Sequence, residues 1–298
     1  MTASDSKEQH AIEQMTEEQN ESEPKSHASI LVEQFLHAKE TFGRSVGSQF
    51  TSAFTAGIEI GISYVMLLFV FAKLSPMIET QYAILFASLL YPLGFIAVVI
   101  GQSLLFTEQT SLLSLPVVRG MEPVSHLLKL WAIVILGNLI GGCFFVLSIV
   151  WLGLEMQWFT AQHMTEFAHH VLDHSWWVIL GSAIVAGWLM GVAAWLVTSA
   201  RDTLSRILLV TLITACIGVL GLHHSIVGNI EVFAALVFDD GVQWLDYLRF
   251  LLLALVGNII GGVVFVTVLK NQTFEFDLDK VKNDPHTRSD IDTHRRSS

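Results

Sequence analysis

A long apolar stretch, residues 207–238, is the feature that most constrains the fold, because polar side chains interrupt it in the middle. About 20 apolar residues suffice to cross a bilayer, so this stretch is too long for one straight crossing. Residues 221–231 contain two histidines, a serine, an asparagine, a glutamate and two glycines. Irregular polar backbone at membrane depth is tolerated only where protein buries it or a wet cavity adjoins it. We therefore predict a helix that breaks near the bilayer midplane, as in the solute sites of many transporters.

Composition indicates that the rest of the chain is also embedded in a membrane. Of the 298 residues, 52% are hydrophobic and 14% are charged, whereas roughly a quarter of the residues in soluble domains are charged. Much of the net charge of −11 comes from the polar tails, and no basic stripe suggests a nucleic-acid partner. The cysteines Cys143 and Cys216 fall in apolar segments and predict packing, not a disulfide framework. No cofactor is expected.

Six membrane spans are predicted from the hydropathy pattern, which makes the chain an all-α polytopic membrane protein. The second and fifth spans are too long for one crossing and each carries a polar interruption, so both are predicted to be broken helices. The predicted spans lie near residues 50–72, 83–115, 127–152, 176–198, 206–238 and 247–269.

Domain boundaries follow from the same pattern. Residues 1–26 predict a disordered acidic tail, because they carry too few apolar residues to fold alone. Residues 27–48 are apolar at near-helical spacing, which predicts an amphipathic helix on the cytoplasmic membrane surface, with a solvated linker as the alternative. Residues 49–270 form the transmembrane domain and residues 271–298 a polar tail. Lys and Arg concentrate on one side of the predicted spans, so both termini are expected in the cytoplasm.

An internal repeat relates the two halves of the transmembrane domain. The motif at residues 137–142 recurs at residues 257–262, 120 positions later, and the same spacing relates the polar interruptions of the second and fifth spans. A weaker similarity links residues 56–61 to residues 186–191 at a spacing of 130 positions. Each half then has three spans, so the second half enters the membrane from the opposite face. The sequence predicts an inverted 3+3 repeat with an aquaporin-like arrangement.

Several polar residues at the predicted breaks need partners. Asn138 and Asn258 lie in the repeated motif, and each is predicted to hold a break in place through backbone groups that the break frees. Glu108 and Glu231 are costly at membrane depth unless paired, so both a structural role at the break and contact with the solute stay open for them. Asn229 is placed with these structural polar residues.

His224 is the strongest candidate for a residue that contacts the transported solute, because an imidazole is costly to bury in a membrane and such residues usually have a function. In a desolvated pore the ring would act as a neutral hydrogen-bond donor. It could then hydrogen-bond an incoming anion or hand it a proton.

A resemblance becomes specific at the breaks. The features that carry it are six spans, an inverted repeat, Leu105, Phe106 and Thr107 at the first break, and His224 and Ser225 at the second. With these features the chain resembles the formate/nitrite transporter family over about residues 45–270. The resemblance implies a homopentamer in which each protomer has its own pore for formate, nitrite, lactate, hydrosulfide or a similar small monovalent anion, often moved with a proton. It also implies that His224 is the central histidine, that Thr107 is the pore hydroxyl, and that Leu105 and Phe106 form an apolar constriction.

The chain departs from the better-known branches of that family and is more similar to the YfdC-like branch. His223 occupies the position of an acidic residue before the histidine, and Gly228 that of an asparagine after it. Residues 167–176 lack the lysine that draws anions into the vestibule of family members. Instead, this segment offers the vestibule candidates His169, His170, Asp173 and His174.

The outer loop, residues 153–175, has acidic residues and histidines but neither Lys nor Arg. Such a vestibule is expected to repel anions at neutral pH and to attract them once its histidines are charged, so uptake is predicted to be acid-activated. His170 and His174 are four positions apart and would suit a zinc ion if the segment were helical. A solvated loop without a metal is the preferred interpretation.

The function predicted from the sequence is a cell-membrane channel or transporter for small monovalent anions or weak acids of the formate, nitrite, acetate or lactate type. A neutral-solute pore of aquaporin-like architecture is the alternative, because a vestibule without fixed positive charge permits it. An intramembrane enzyme is disfavoured, since the chain has neither an HExxH motif nor a nucleophile motif. The expected partners are membrane lipid, the anion and protons.

Overall fold

The computed structural model describes residues 25–264, and these contain helices and no strand. The predictions for residues 1–24 and for the tail after residue 264 lie outside this range. The described helices are α1 (His27–Gly43), α2 (Val46–Leu74), α3 (Thr80–Ser88), α4 (Pro92–Gly101), α5 (Phe106–Leu112), α6 (Ser114–Val118), α7 (Val124–Glu155), α8 (Ala161–Leu172), α9 (Trp176–Ser199), α10 (Thr203–Val219), α11 (Ser225–Phe238) and α12 (Trp244–Val264).

Membrane-spanning length is reached by five segments within the described residues: α2, the α3–α4 unit (Thr80–Gly101), α7, α9 and α12. The predicted fifth span consists of α10 and α11, apolar helices of 17 and 14 residues. The predicted second span is likewise divided, because α4 ends at Gly101 and α5 begins at Phe106. Gln102 has a positive φ of 56° at the end of α4, and Gly221 has a positive φ of 61° after α10. The structure therefore contains both predicted breaks.

Glycines allow two helix pairs to meet backbone against backbone. A Cβ atom added to Gly57 of α2 would overlap the Asn138 carbonyl of α7, and one added to Gly187 of α9 would overlap the Asn258 carbonyl of α12. Small residues at such contacts let membrane helices approach closely. The same close approach thus occurs in both halves, at the positions that the repeat relates.

Helix α1 is amphipathic, and its apolar side chains pack against α6 and α9. Ile30 and Leu31 are buried with Leu115 and Trp195 in a small apolar cluster. The ammonium of Lys25 donates hydrogen bonds to the Glu33 carboxylate at 2.6 Å and to a backbone carbonyl of α9 at 2.9 Å. The helix ends at Gly43, before the predicted boundary at residue 48, because Ser45 begins α2 as its N-cap.

Helix α8 corrects the prediction of a solvated outer loop. Thr160 accepts a hydrogen bond from the His163 backbone N–H and starts the helix, as in a capping box. Phe167 and Val171 are among the residues that α8 buries against the bundle. Because α8 ends at Leu172, His174 lies beyond the helix and does not form a helical pair with His170. Among residues 25–264, no group of three or more His, Cys, Asp or Glu side chains could hold a metal ion.

Candidate functional site

Asn138 holds the first break together. Its side-chain oxygen accepts a hydrogen bond from the Phe106 backbone N–H at 2.8 Å. Its side-chain nitrogen donates to the Leu104 carbonyl at 2.9 Å and to the Ala53 carbonyl at 2.7 Å. Asn138 is fully buried, so it provides partners for backbone groups that would otherwise be unsatisfied inside the membrane.

Asn258 forms the same arrangement at the second break. Its oxygen accepts from the Ser225 backbone N–H at 2.8 Å, and its nitrogen donates to the His223 carbonyl at 3.1 Å and to the Ala183 carbonyl at 2.8 Å. Ser225 and His223 each lie 119 positions after the corresponding partner of Asn138, and Ala183 lies 130 positions after its counterpart. The two asparagines themselves are 120 positions apart. The hydrogen bonds therefore place the breaks one position out of the register that the sequence comparison predicts.

His224 and Thr107 bring the two breaks into direct contact. The Thr107 hydroxyl oxygen lies 2.8 Å from Nε2 of His224, and both residues are buried. His224 is also the N-cap of α11, because its Nδ1 accepts a hydrogen bond from the Val227 backbone N–H at 3.3 Å. Since Nδ1 is an acceptor, the neutral ring carries its proton on Nε2 and donates it toward Thr107. The proposed pore histidine is thus held as a hydrogen-bond donor.

Phe95, which the sequence analysis did not single out, forms the aromatic wall at this contact. Its ring meets the His224 ring edge-on, with centroids 5.2 Å apart and an angle of 85°. The predicted constriction residue Phe106 instead packs against Trp131 of α7, with ring centroids 6.1 Å apart. The hydrogen bond between its backbone N–H and Asn138 fixes Phe106 at the start of α5, and its side chain is directed into the bundle.

A cavity that we call the outer chamber adjoins His224 on the side of α8, the side predicted to face outward. It holds about 20 Å³ of space for the centre of a water molecule. That volume suits about one water, so the passage is closed to larger solutes in this conformation. The polar and aromatic residues that line it include Tyr91, His170, His224, Glu231, Phe167 and Phe250.

A second cavity, the inner chamber, lies on the other side of the Thr107–His224 contact. Leu105 and Glu108, which flank Thr107 at the first break, both line it. Its free volume is about 10 Å³. Leu105, predicted as a constriction residue, lines this chamber together with Phe95, Met190 and Thr214.

The predicted structural residues Glu108, Glu231 and Asn229 do not hold the breaks. None of the described residues donates a hydrogen bond to the carboxyl of Glu108 or Glu231, and each carboxyl lines a chamber instead. The Asn229 oxygen accepts from the Tyr247 hydroxyl at 2.6 Å, which ties α11 to α12. The Ser225 hydroxyl is buried and has no hydrogen-bond partner among the described residues. The asparagines of the repeated motif instead accept from the N–H groups of Phe106 and Ser225, the first residues of α5 and α11.

A larger cavity of about 320 Å³, which we call the vestibule, shares Phe250 with the outer chamber. Arg249 of α12 lines it and donates a hydrogen bond to the His174 carbonyl at 3.1 Å. The prediction of a vestibule without fixed positive charge is therefore wrong, because α12 supplies a guanidinium that the loop sequence does not contain. The other charged or titratable residues of its lining are His169, Asp173, His174 and Asp246.

The histidines of this region fall into separate environments. Nδ1 of His169 lies 2.9 Å from the Asp173 carboxylate at the vestibule. His170 faces the outer chamber, where burial, and to a smaller extent His174, lowers the pKa of its imidazole. His223 donates from Nε2 to the Val171 carbonyl at 2.9 Å. The His223 ring also meets the His174 ring edge-on, with centroids 5.5 Å apart.

Comparison with known proteins shows where the chain belongs. The family model described as formate/nitrite transporter matches residues 28–271. The inner membrane protein YfdC of Escherichia coli strain K12 is 28% identical over 233 residues, covering 76% of this chain and 72% of YfdC. The formate channel FocA of the same strain is 27% identical over 239 residues, covering 73% of this chain and 83% of FocA. A solved pentameric formate channel with formate bound superposes with a TM-score of 0.67 at 24% identity, covering 76% of this chain and 97% of that one.

Proposed function

The chain belongs to the formate/nitrite transporter family, and on that premise we propose that it forms a multi-pass membrane pore for small monovalent anions of the size of formate. The observation that carries the proposal is the Thr107–His224 contact at 2.8 Å. An N–H donor at this position, where the two breaks meet, supports the proposal. A neutral donor in a water-poor site hydrogen-bonds a small anion strongly without holding it as an ion pair.

Two features of the relatives support the substrate and the assembly. FocA is named a formate channel, and the superposed structure is described as pentameric with formate bound. We infer that this chain forms a homopentamer with a separate pore in each protomer and with both termini in the cytoplasm. Proton transfer to the anion by His224 stays a prediction.

The test of the proposed function is a comparison of solute classes in proteoliposomes. We expect flux of labelled formate, nitrite and acetate above that of protein-free vesicles, while glycerol permeability stays at the background. Stopped-flow light scattering measures glycerol and water, and rapid filtration measures the anions. Glycerol flux without anion flux would favour the neutral-solute pore and refute the proposal.

Arg249 is expected to attract anions to the vestibule. It is the guanidinium in a lining that also holds Asp173 and Asp246, so its removal makes the vestibule strongly negative. Electrostatic attraction of this kind changes association rates by about tenfold or more and is screened by salt. Arg249→Gln should lower formate uptake by about three- to tenfold at low ionic strength, and high salt should remove the difference.

Two variants control for loss of packing. Arg249→Lys should keep most of the uptake, because it keeps the charge. Lys73→Gln should change uptake little, since Lys73 reaches the Gln157 carbonyl and does not line the vestibule. Equal uptake by Arg249→Gln and the unmodified protein at low salt would refute the role of Arg249.

Anion uptake is still expected to rise in acid when the charge of Arg249 is counted in the vestibule. With neutral imidazoles the charged residues of the lining are one cation and two carboxylates. Protonation of His169 and His174 would change the sign of that sum from negative to positive. Formate uptake should therefore rise from pH 8 to pH 5, and the double variant His169→Gln/His174→Gln should flatten the rise. A flat profile in the unmodified protein would contradict the expectation.

A further inference from the structure

Two carboxyl groups flank the Thr107–His224 contact, and the proposed pore function gives neither of them a role. Glu231 of α11 lines the outer chamber, and Glu108 of α5 lines the inner chamber. Glu231 is 5% exposed. Among the described residues, none forms an ion pair or a side-chain hydrogen bond with either carboxyl.

An ionised carboxylate without a partner is costly at this depth, which makes an intramembrane acid a candidate for function. The outer chamber offers a second polar group without a partner, because the Tyr91 hydroxyl lines it, is buried and makes no hydrogen bond within residues 25–264. The chamber holds about one water molecule. Such a site can exchange a proton with a small solute that replaces the water.

His224 is poorly placed to be the net source of that proton. Its Nδ1 accepts from the Val227 backbone N–H, and its Nε2 carries the only proton of the neutral ring. Release of that proton would leave an imidazolate, whereas protonation of Nδ1 would break the cap of α11. The ring can hydrogen-bond the solute, but a group that gains and loses a proton easily must lie elsewhere on the pathway.

We propose that Glu231 donates a proton to a weak-acid anion in the outer chamber and that Glu108 accepts it in the inner chamber. The Glu231 O–H bond breaks as the O–H bond of the acid forms, and the neutral acid passes His224. In the inner chamber the acid returns its proton to the Glu108 carboxylate and leaves as an anion. Glu231 then takes a proton from outside and Glu108 releases one inside, so one proton and one anion cross together. This inference rests on the proposed function.

The groups around each carboxyl are compatible with this exchange. Tyr64, Tyr91, His170 and His224 are the titratable residues near Glu231, and none of them is a fixed cation that would hold it ionised. The lining of the inner chamber contains no titratable side chain besides Glu108. In the inner chamber, proton transfer is thus left to Glu108.

The experiment measures protons and formate together in proteoliposomes with an inward proton gradient. A pH-sensitive dye inside the vesicles reports protons, labelled formate reports the anion, and protein-free vesicles give the background of formic acid diffusion. The unmodified protein should move one proton per formate. Glu231→Gln and Glu108→Gln should each lower gradient-driven accumulation at least about tenfold, since a positioned proton-transfer group contributes about 10²- to 10⁴-fold. Glu231→Asp should restore part of it.

Glu59→Gln is the matched control, because Glu59 is a carboxyl of the α2 span that lines neither chamber. It should keep accumulation within about twofold, since no pathway group is lost. If Glu231→Gln fails to assemble, Glu231→Asp and Glu108→Gln decide the question. Formate flux without proton movement, or full coupling in an assembled Glu231→Gln or Glu108→Gln protein, would overturn the inference and leave the pore function standing. Absence of formate flux in the unmodified protein would instead refute the pore function.

Discussion

Replacing His224 by asparagine is expected to remove most of the formate flux and to leave the fold in place. The imidazole donates from Nε2 toward Thr107, 2.8 Å away, and a passing anion would take the same hydrogen bond. Hydrogen bonds to charged groups contribute about 1.5–3 kcal/mol, and each 1.4 kcal/mol corresponds to a tenfold change in rate. The loss should therefore be about 10- to 100-fold.

Asparagine is the informative replacement because it separates transport from folding. His224 caps α11 by accepting from the Val227 N–H, and asparagine is a strongly preferred N-cap residue. His224→Asn should thus keep the thermal stability of the unmodified protein, while His224→Ala should also lose about 1 kcal/mol through the missing cap. Rapid filtration of formate and a melting curve in detergent measure the two effects.

A histidine outside the pathway provides the control for His224. His126 pairs with Glu122 near the start of α7 and lines neither chamber. His126→Asn should leave formate flux unchanged. We expect a loss of about tenfold or more. An assembled His224→Asn protein with flux within about twofold of the unmodified protein would show that the pathway does not need an imidazole donor at this position.

Replacing Asn258 by leucine is expected to have the largest effect on stability. The substitution removes the partners of the Ser225 N–H and of the His223 and Ala183 carbonyls. An unsatisfied buried polar group costs about 1–3 kcal/mol. With three such groups, the melting temperature should fall by at least about 6 °C, at 2–4 °C for each kcal/mol.

The repeat supplies an internal check on this prediction. Asn138→Leu should have a similar effect, because Asn138 makes the corresponding hydrogen bonds at the first break. Asn258→Asp should be intermediate, since it keeps the acceptor for Ser225 but not the donors. Asn229→Leu should cost less, because it loses one hydrogen bond from Tyr247 and a long one to the Cys143 sulfur. Equal stability of Asn258→Leu and Asn229→Leu proteins would show that the break does not depend on the asparagine.

Features that reside in a short stretch of chain could be predicted from the sequence. The breaks before Phe106 and Ser225 were visible because polar residues interrupt apolar runs that are too long for one crossing. Asn138 and Asn258 were visible because an amide inside a membrane helix requires partners. Family membership, with the importance of His224 that it implies, followed from short motifs at the same positions.

Features that depend on which elements meet were predicted poorly. The family resemblance implied Phe106 as a constriction residue, but the Phe106 ring packs against Trp131, and Phe95 of α4 lies beside His224. The sequence analysis did not place Arg249 in the vestibule, because Arg249 lies 75 residues after the segment that it contacts. A local sequence pattern cannot predict a contact between residues so far apart in the chain.

The sequence by itself determined that this protein crosses a membrane, that its second and fifth spans break, and that an asparagine stands near each break. These properties follow from the cost of burying polar groups in hydrocarbon, which acts on each segment separately. Only the tertiary structure decided that Glu108 and Glu231 line chambers on either side of His224 and hold no backbone. Asn138 and Asn258 accept from the N–H groups that start α5 and α11, and which side chain reaches those groups depends on how helices distant in the sequence pack.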